Sequence, residues 1–343
     1  HPNGGKIQQG LPLIPREQGG SMSPGCRAAR IQAYQPVVID DIFGFYKAKG
    51  GQNAIYPSRK AGRPTARPPD QELTDVSLFA ASIPYEFYGS TDPGRARDNN
   101  EDSIAFDDRS ALAVLADGMG GYNAGEIASG MATTFIKGEL GRWLGEAGDR
   151  AADSDVRRAM DICVDNANRA IFNAANSNPQ YAGMGTTLVL AVVRGDRLLL
   201  GHIGDSRAYR MRAGKLSQLT RDHSLLQEQI DAGLITPEQA AYSANKNLVT
   251  RAVGVEDTVL LETHLHATEP GDLYLMCSDG LSDMVPDNRI AQVLLSHESL
   301  EAAGRGLIDA ANEAGGKDNI AVILVRVQDS AAGAARPWWR FKR

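Results

Sequence analysis

The chain has 343 residues, 42% of them hydrophobic and 23% charged, a balance that excludes a wholly disordered or collagen-like polypeptide. Its formal charge of −6 is uneven: residues 1–72 hold 10 Lys/Arg against 5 Asp/Glu, the remainder 26 against 37. An acidic main part argues against nucleic acid as the principal partner and suits bound divalent cations. The longest apolar runs, such as residues 187–193, fall far short of the roughly 18–20 residues a membrane helix needs, so no transmembrane segment is expected. Cys26, Cys163 and Cys277 give neither a disulfide framework nor a zinc spacing. They suit a reducing compartment, and the chain is read as cytoplasmic.

Residues 1–75 are rich in Gly, Pro and Arg without sustained periodicity, and read as a disordered extension with no apolar leader region. From about residue 76 to 329 the pattern is that of a folded domain. A first strand is expected near 83–88 and another over 111–116. Ile127, Met131, Phe135 and Ile136 share a helical face that continues to Leu140. Val156, Met160, Cys163, Ala167 and Ile171 recur at helical steps, with Asp153 or Ser154 available as N-cap. Two strands follow, 186–193 and 198–203, joined by the tight turn Arg194-Gly195-Asp196-Arg197. A further turn is expected at Arg212-Ala213-Gly214-Lys215, and short helices over 225–232 and 237–242. Strands at 273–277 and 320–327 bracket a helix carrying Leu300, Ala303, Leu307 and Ala311, stopped by Gly315-Gly316. Hairpins without regular strand–helix alternation argue against a doubly wound parallel sheet.

Aspartates stand where strands end. Asp117 closes 111–116, Asp205 follows 198–203, and Asp279 follows 273–277; Glu101-Asp102 and Lys317-Asp318-Asn319 flank other strand-like segments. One Asp-Gly alone reads as a turn. Several acidic strand ends, gathered at one end of a sheet system, would repel one another unless cations neutralised them. Oxygen donors without Cys or His favour Mg²⁺ or Mn²⁺ over Zn²⁺. A pair of such ions can activate water and orient a phosphoryl group, and Arg97 offers a guanidinium fork for its oxygens.

Six motifs in order carry a family resemblance: Arg97-Asp98-Asn99-Asn100-Glu101-Asp102, Ala116-Asp117-Gly118-Met119-Gly120-Gly121, Gly183-Met184-Gly185-Thr186-Thr187, Gly204-Asp205-Ser206-Arg207, Ser278-Asp279-Gly280 and Lys317-Asp318-Asn319. Over about residues 80–328 the chain resembles the PPM (PP2C-type) metal-dependent protein serine/threonine phosphatases in their bacterial form. The resemblance implies an α+β fold, an αββα sandwich of two antiparallel sheets flanked by helices. It implies hydrolysis of phosphoserine and phosphothreonine in phosphoproteins by metal-activated water, opposing a partner Ser/Thr kinase. By the same resemblance Asp117 bridges two Mn²⁺ or Mg²⁺ ions, with the Gly118 carbonyl and Glu101 as further ligands of one. Asp279 and Asp318 belong to the other ion, and Asp102 takes part directly or through water. Asp205, with Asp279, matches a third, weaker site, and Arg97 matches the phosphate-binding arginine. Asn319 would support Asp318, and the segment from Thr220 to about Ala244 takes the place of a variable flap.

Met119 stands where animal members carry a histidine proposed as general acid, so that role has no assigned residue. His223 is tempting but reads better as structural, and His202 as a core or sheet-face residue. The C-x₅-R spacing from Cys163 to Arg169 lies on an apolar helix stripe and reads as core, not as a nucleophile loop. Gly118-Met119-Gly120-Gly121 lacks the third glycine of a dinucleotide fingerprint. A binding-only phosphatase relative is opposed by the intact acidic set. In the tail 330–343, Arg336, Arg340, Lys342 and Arg343 surround Trp338, Trp339 and Phe341. That mix suits an acidic membrane surface or a partner groove, or else the tryptophans fold back onto the domain.

Overall fold

Strand β3 (Leu112–Met119) shows how the domain is assembled. Leu112, Val114 and Ala116 point to one side and pack under helices; Ala113 and Leu115 point to the other and pack against a second sheet. Both faces of this strand are buried, which is why its sequence is an unbroken apolar run and not an alternating one. The computed structural model describes residues 85–121, 124–240 and 248–328. The extension 1–75, the tail 330–343 and residues 241–242 of an expected helix lie outside the described residues.

One sheet has the order β1 (Tyr85–Asp92), β11 (Ile320–Val327), β10 (Leu273–Cys277), β7 (Arg207–Arg212), β8 (Lys215–Gln218). The other runs β2 (Asp102–Asp107), β3, β5 (Leu188–Arg194), β6 (Arg197–Ile203), β9 (Glu262–Ala267), with the short β4 (Gly185–Thr186) on β3. Every pairing is antiparallel. Between the sheets lies one apolar core, including Leu115, Val189, Leu200, Tyr274 and Ile323. Outside the second sheet, α1 (Ala124–Ala147) and α2 (Asp153–Ser177) enclose another. Outside the first, α6 (Asp287–Ser296) and α7 (Leu300–Glu313) enclose the third, over Leu275, Val322 and Leu324. The architecture is the expected α+β sandwich, helix–sheet–sheet–helix.

The two expected turns are present. Gly195-Asp196 joins β5 to β6 with Gly195 at φ 58°; Ala213 (φ 49°) and Gly214 (φ 77°) join β7 to β8. Positive φ at both central residues of the second turn matches the twist of the strands it joins. Helix α1 differs from expectation. Its deepest face is Ala128, Ala132, Ile136 and Leu140, while Ile127, Met131 and Phe135 are partly buried beside that core. Small residues let the helix axis lie close to β3. Helix α2 starts at Asp153 itself, so neither Asp153 nor Ser154 is its N-cap. The cap position is Ala152, whose N–H donates to the Asp155 carboxylate at 3.3 Å. Edge strands β2 and β9 went unforeseen, because half-exposed edges carry mixed polarity. Between β8 and β9 come α3 (Leu225–Asp231) and α4 (Pro237–Ala240), the described part of the expected flap. No helix among the described residues is long and apolar enough to cross a membrane.

Candidate active site

The acidic residues singled out in the sequence meet at one end of the sandwich. Asp102 opens β2 and is the register partner of Asp117 on β3. From the other sheet, Asp279 opens the short helix α5 (Asp279–Ser282) directly after β10, and Asp318 stands just before β11. Asp205 lies in the loop between β6 and β7. A cavity of about 230 Å³ runs from Asp205, Asp279 and Asp283 to flap residues Leu226, Gln227 and Ile230.

Backbone positions here are set by other motifs. The Asp117 carbonyl accepts from the Thr187 N–H and the Thr186 hydroxyl, both at 2.8 Å, and its N–H donates to Thr187 Oγ1 at 3.1 Å. Thr187 Oγ1 in turn meets Ser206 Oγ at 2.7 Å, tying the Asp117 and Asp205 segments together. Ser278 spans the two sheets: its hydroxyl donates to Asp102 Oδ2 (2.7 Å) and accepts from the Ala321 N–H (2.8 Å). Asn319 holds the loop before β2, accepting from the Glu101 N–H (2.8 Å) and donating to the carbonyls of Pro93 and Asn99. A side chain at Gly118 would run into the Gly125 carbonyl, and a Cβ at Gly125 would lie 2.8 Å from the Glu101 carboxylate. These two glycines let α1 close down on Glu101 and Asp117.

The electrostatics of this group are those of uncompensated like charge. Burial, then the charges of Asp102, Asp279, Asp205 and Asp318, push the Asp117 carboxyl well above the carboxylate range. Burial and then Asp205, Asp318, Asp283 and Asp102 do the same to Asp279. Asp205 is raised to about 6 by burial and Asp222, and Asp102 to about 7, mainly by burial, against its Ser278 bond. Glu101 is also raised, first by burial. Asp102 Oδ1 is buried without a hydrogen-bond partner. Carboxylates kept this close, with a bare oxygen among them, fit hard divalent cations such as Mg²⁺ or Mn²⁺. Arg97 donates from Nη2 to Asp318 Oδ2 at 2.8 Å and is half exposed at the rim.

The sequence matches the protein phosphatase 2C family over residues 95–324. The chain belongs to that family. It is 40% identical over 263 residues to the serine/threonine protein phosphatase PstP of Mycobacterium tuberculosis, an alignment covering 76% of this chain and 48% of that protein. The chain thus spans about half the length of this relative. It is 36% identical over 238 residues to the serine/threonine phosphatase stp of Listeria innocua, covering 68% of this chain and 93% of that one. Among solved structures, the catalytic domain of PstP in complex with two manganese ions is similar at a TM-score of 0.61 and 36% identity, over 71% of this chain and 99% of that one.

Against this family background, the residues outside the acidic group fall into place. Cys163 is buried on α2, and burial pushes its thiol up to about 12, which leaves no thiolate for nucleophilic attack. His202 is fully buried, as expected of a core position, and His223 is nearly so. Both His223 ring nitrogens are engaged: Nδ1 accepts from the Gly204 N–H and Nε2 meets Glu262. Three contributors were missed from sequence. Ser278 stands in the Ser278-Asp279-Gly280 motif, yet nothing in its sequence context marks it as a bridge between sheets. Asp283, four residues after Asp279, acts on both Asp279 and Asp205. Asp222 pairs with Arg207 (2.6 Å) behind Asp205. The four-residue step from Asp279 to Asp283 along a helical turn was the available signal for Asp283.

Proposed function

We propose that this chain hydrolyses phosphoserine and phosphothreonine in proteins with two Mn²⁺ or Mg²⁺ ions, reversing the work of a Ser/Thr kinase in the cytoplasm. The observation that carries this reading is the buried, mutually repelling set Asp102, Asp117, Asp205, Asp279 and Asp318, with Arg97 at its rim. Asp117 would bridge the two ions, joined on one side by Glu101 and the Gly118 carbonyl and on the other by Asp279 and Asp318. Asp102 would complete the group directly or through water, and Asp205 with Asp279 would hold a weaker third ion. When bound, the ions would supply the positive charge that makes water a nucleophile at neutral pH and steadies the phosphoryl oxygens.

The chain's own residues do the rest. Asp102 and Asp117 enter from one sheet and Asp279 and Asp318 from the other, so the core between the sheets fixes the spacing of the two ligand pairs. Arg97 is exposed enough to exchange its Asp318 contact, of a kind worth about 0.2–1 kcal/mol, for the substrate phosphate. Arg97, with Asp318 engaged as a metal ligand, would turn its guanidinium to the phosphate in bidentate fashion. Supporting this reading, PstP has been solved with two manganese ions. The experiment is hydrolysis of a phosphothreonine peptide after removal of metal. Activity should vanish in EDTA and return with Mn²⁺ or Mg²⁺; full turnover in excess EDTA after prolonged dialysis would overturn the reading.

A further inference from the structure

Four of the chain's six histidines gather on the β6–β9 edge and at the start of the flap. His202 lies on β6, His264 and His266 on β9, and His223 at the start of the flap. The rings of His202 and His223 stack at 4.7 Å, and His264 lies 6.3 Å from His202. Glu262, the register partner of His202, joins them: Oε2 lies 3.1 Å from His223 Nε2, and Oε1 2.9 Å from His264 Nε2. His202, His223 and Glu262 each place a ligand-type atom within 4.8 Å of the other two, the one such set among the described residues. His202 is fully buried. Its Nε2 donates to the Arg221 carbonyl at 2.8 Å, which leaves Nδ1 a buried acceptor without a partner.

We propose that His202, His223 and Glu262, with His264 on the solvent side, form a metal site for an ion of the Zn²⁺ class, separate from the oxygen-lined centre. The donor types carry the ion class. Imidazoles and one carboxylate suit zinc, whereas Mg²⁺ and Mn²⁺ prefer oxygen alone. The 3.1 Å between His223 Nε2 and Glu262 Oε2 is close to the spacing of about 3.3 Å between neighbouring ligands of a tetrahedral zinc. Glu262 is already an anion: although burial raises its pKa, the bonds from His264 and His223 hold it down at about 2. Glu262 and His264 are partly exposed, so the cluster meets solvent on their side.

Loading has a definite proton balance. The Gly204 N–H donates to His223 Nδ1 at 3.1 Å, so the imidazole proton sits on Nε2 and points at Glu262. An ion taken at Nε2 displaces that proton, and the neutral ring must carry its proton on Nδ1 instead. The Gly204 N–H then loses its acceptor. An ion with weak affinity for imidazole would not drive this exchange, which again selects the zinc class.

The test uses the full chain saturated with Mn²⁺, so that the oxygen centre is filled, and titrates it with Zn²⁺ and with Co²⁺ as a spectroscopic probe. One further equivalent should bind, with nitrogen-ligand Co²⁺ absorption bands and a shift of the Gly204 amide resonance. Glu262→Gln, which preserves shape, should weaken that binding at least 10-fold, as should His264→Ala to a smaller degree. Asp279→Asn should leave zinc uptake unchanged. If no further equivalent binds, or Glu262→Gln binds zinc as tightly as wild type, the cluster is a hydrogen-bonded support for the flap and the proposal fails. If Asp279→Asn abolishes uptake, the ion sits at the carboxylates and the proposal fails equally.

Discussion

Asp117 is fixed by its neighbours through its backbone and perturbed by them through its carboxylate. Thr186 and Thr187 hold its peptide groups, while Asp102, Asp279, Asp205 and Asp318 load its side chain with like charge. Asp117→Asn should therefore lower kcat by several orders of magnitude with the far-UV spectrum intact, and should raise the melting temperature of the metal-free protein by relieving repulsion. The same charges set a pH dependence. Asp102 and Asp205 have folded pKa values of about 7 and about 6, above the ordinary carboxylate value near 4. Between those values the folded state holds more protons than the unfolded one, so stability falls as pH rises. Metal-free protein should lose melting temperature from about pH 4 to pH 7, and Mn²⁺ should flatten that slope. A metal-free melting temperature that climbs through this window would refute the assignment of repulsion. Arg97→Ala should cost about 10–100-fold in kcat/KM, or about 1.4–2.7 kcal/mol, with metal affinity little changed. At this scale Asp117, Asp205, Asp279 and Asp318 were legible because each stands beside an apolar strand. Ser278 reaching Asp102 was not, because the contact joins residues 176 positions apart.

At the scale of elements, one buried hydroxyl reaches across both sheets at the acidic end. Ser278 is buried, serves Asp102 on β2, and accepts the Ala321 N–H of β11. Ser278→Ala leaves that N–H without an acceptor and removes a donor from Asp102. The expected loss is about 1–3 kcal/mol of stability, read by denaturant unfolding, together with weaker Mn²⁺ binding. Unchanged metal affinity in a destabilised variant would mean that Asp102 does not need this support. Cys163→Ser makes a contrast within α2: it buries a hydroxyl among apolar neighbours and should cost stability, yet leave kcat nearly unaltered. The interior strands β3, β5, β6, β10 and β11 were legible because both their faces are covered and their sequences are mostly apolar, whereas the interior β7, with three arginines in six residues, was not. Edge strands β2 and β9 were not, since their residues divide between core and solvent. The inner face of α1 was misread for a related reason. Periodicity weighs large residues, whereas close approach to β3 selects Ala128 and Ala132.

For the molecule as a whole, the three cores and the acidic group found among the described residues run from Tyr85 to Val327, and the family match runs from 95 to 324. Tyr85 packs in the inter-sheet core and its hydroxyl donates to the Gly195 carbonyl at 2.8 Å, so β1 is bound at both its apolar face and its tip. Its partner β11 pairs with it over eight residues, from Tyr85↔Val327 to Asp92↔Ile320. The strand β11 is thus fastened between β1 and β10. A chain cut to residues 76–329 should accordingly keep its melting temperature within a few degrees and hydrolyse a phosphothreonine peptide within about twofold of the full chain. Loss of melting temperature on removing 330–343 alone would show that the Trp338–Trp339 segment docks on the domain. Unchanged stability and peptide turnover, with weaker binding to anionic vesicles or to a phosphoprotein, would instead mark it as a recruitment tail. Removing 1–75 alone tests the other boundary: a drop in melting temperature there would place part of the folded domain ahead of β1.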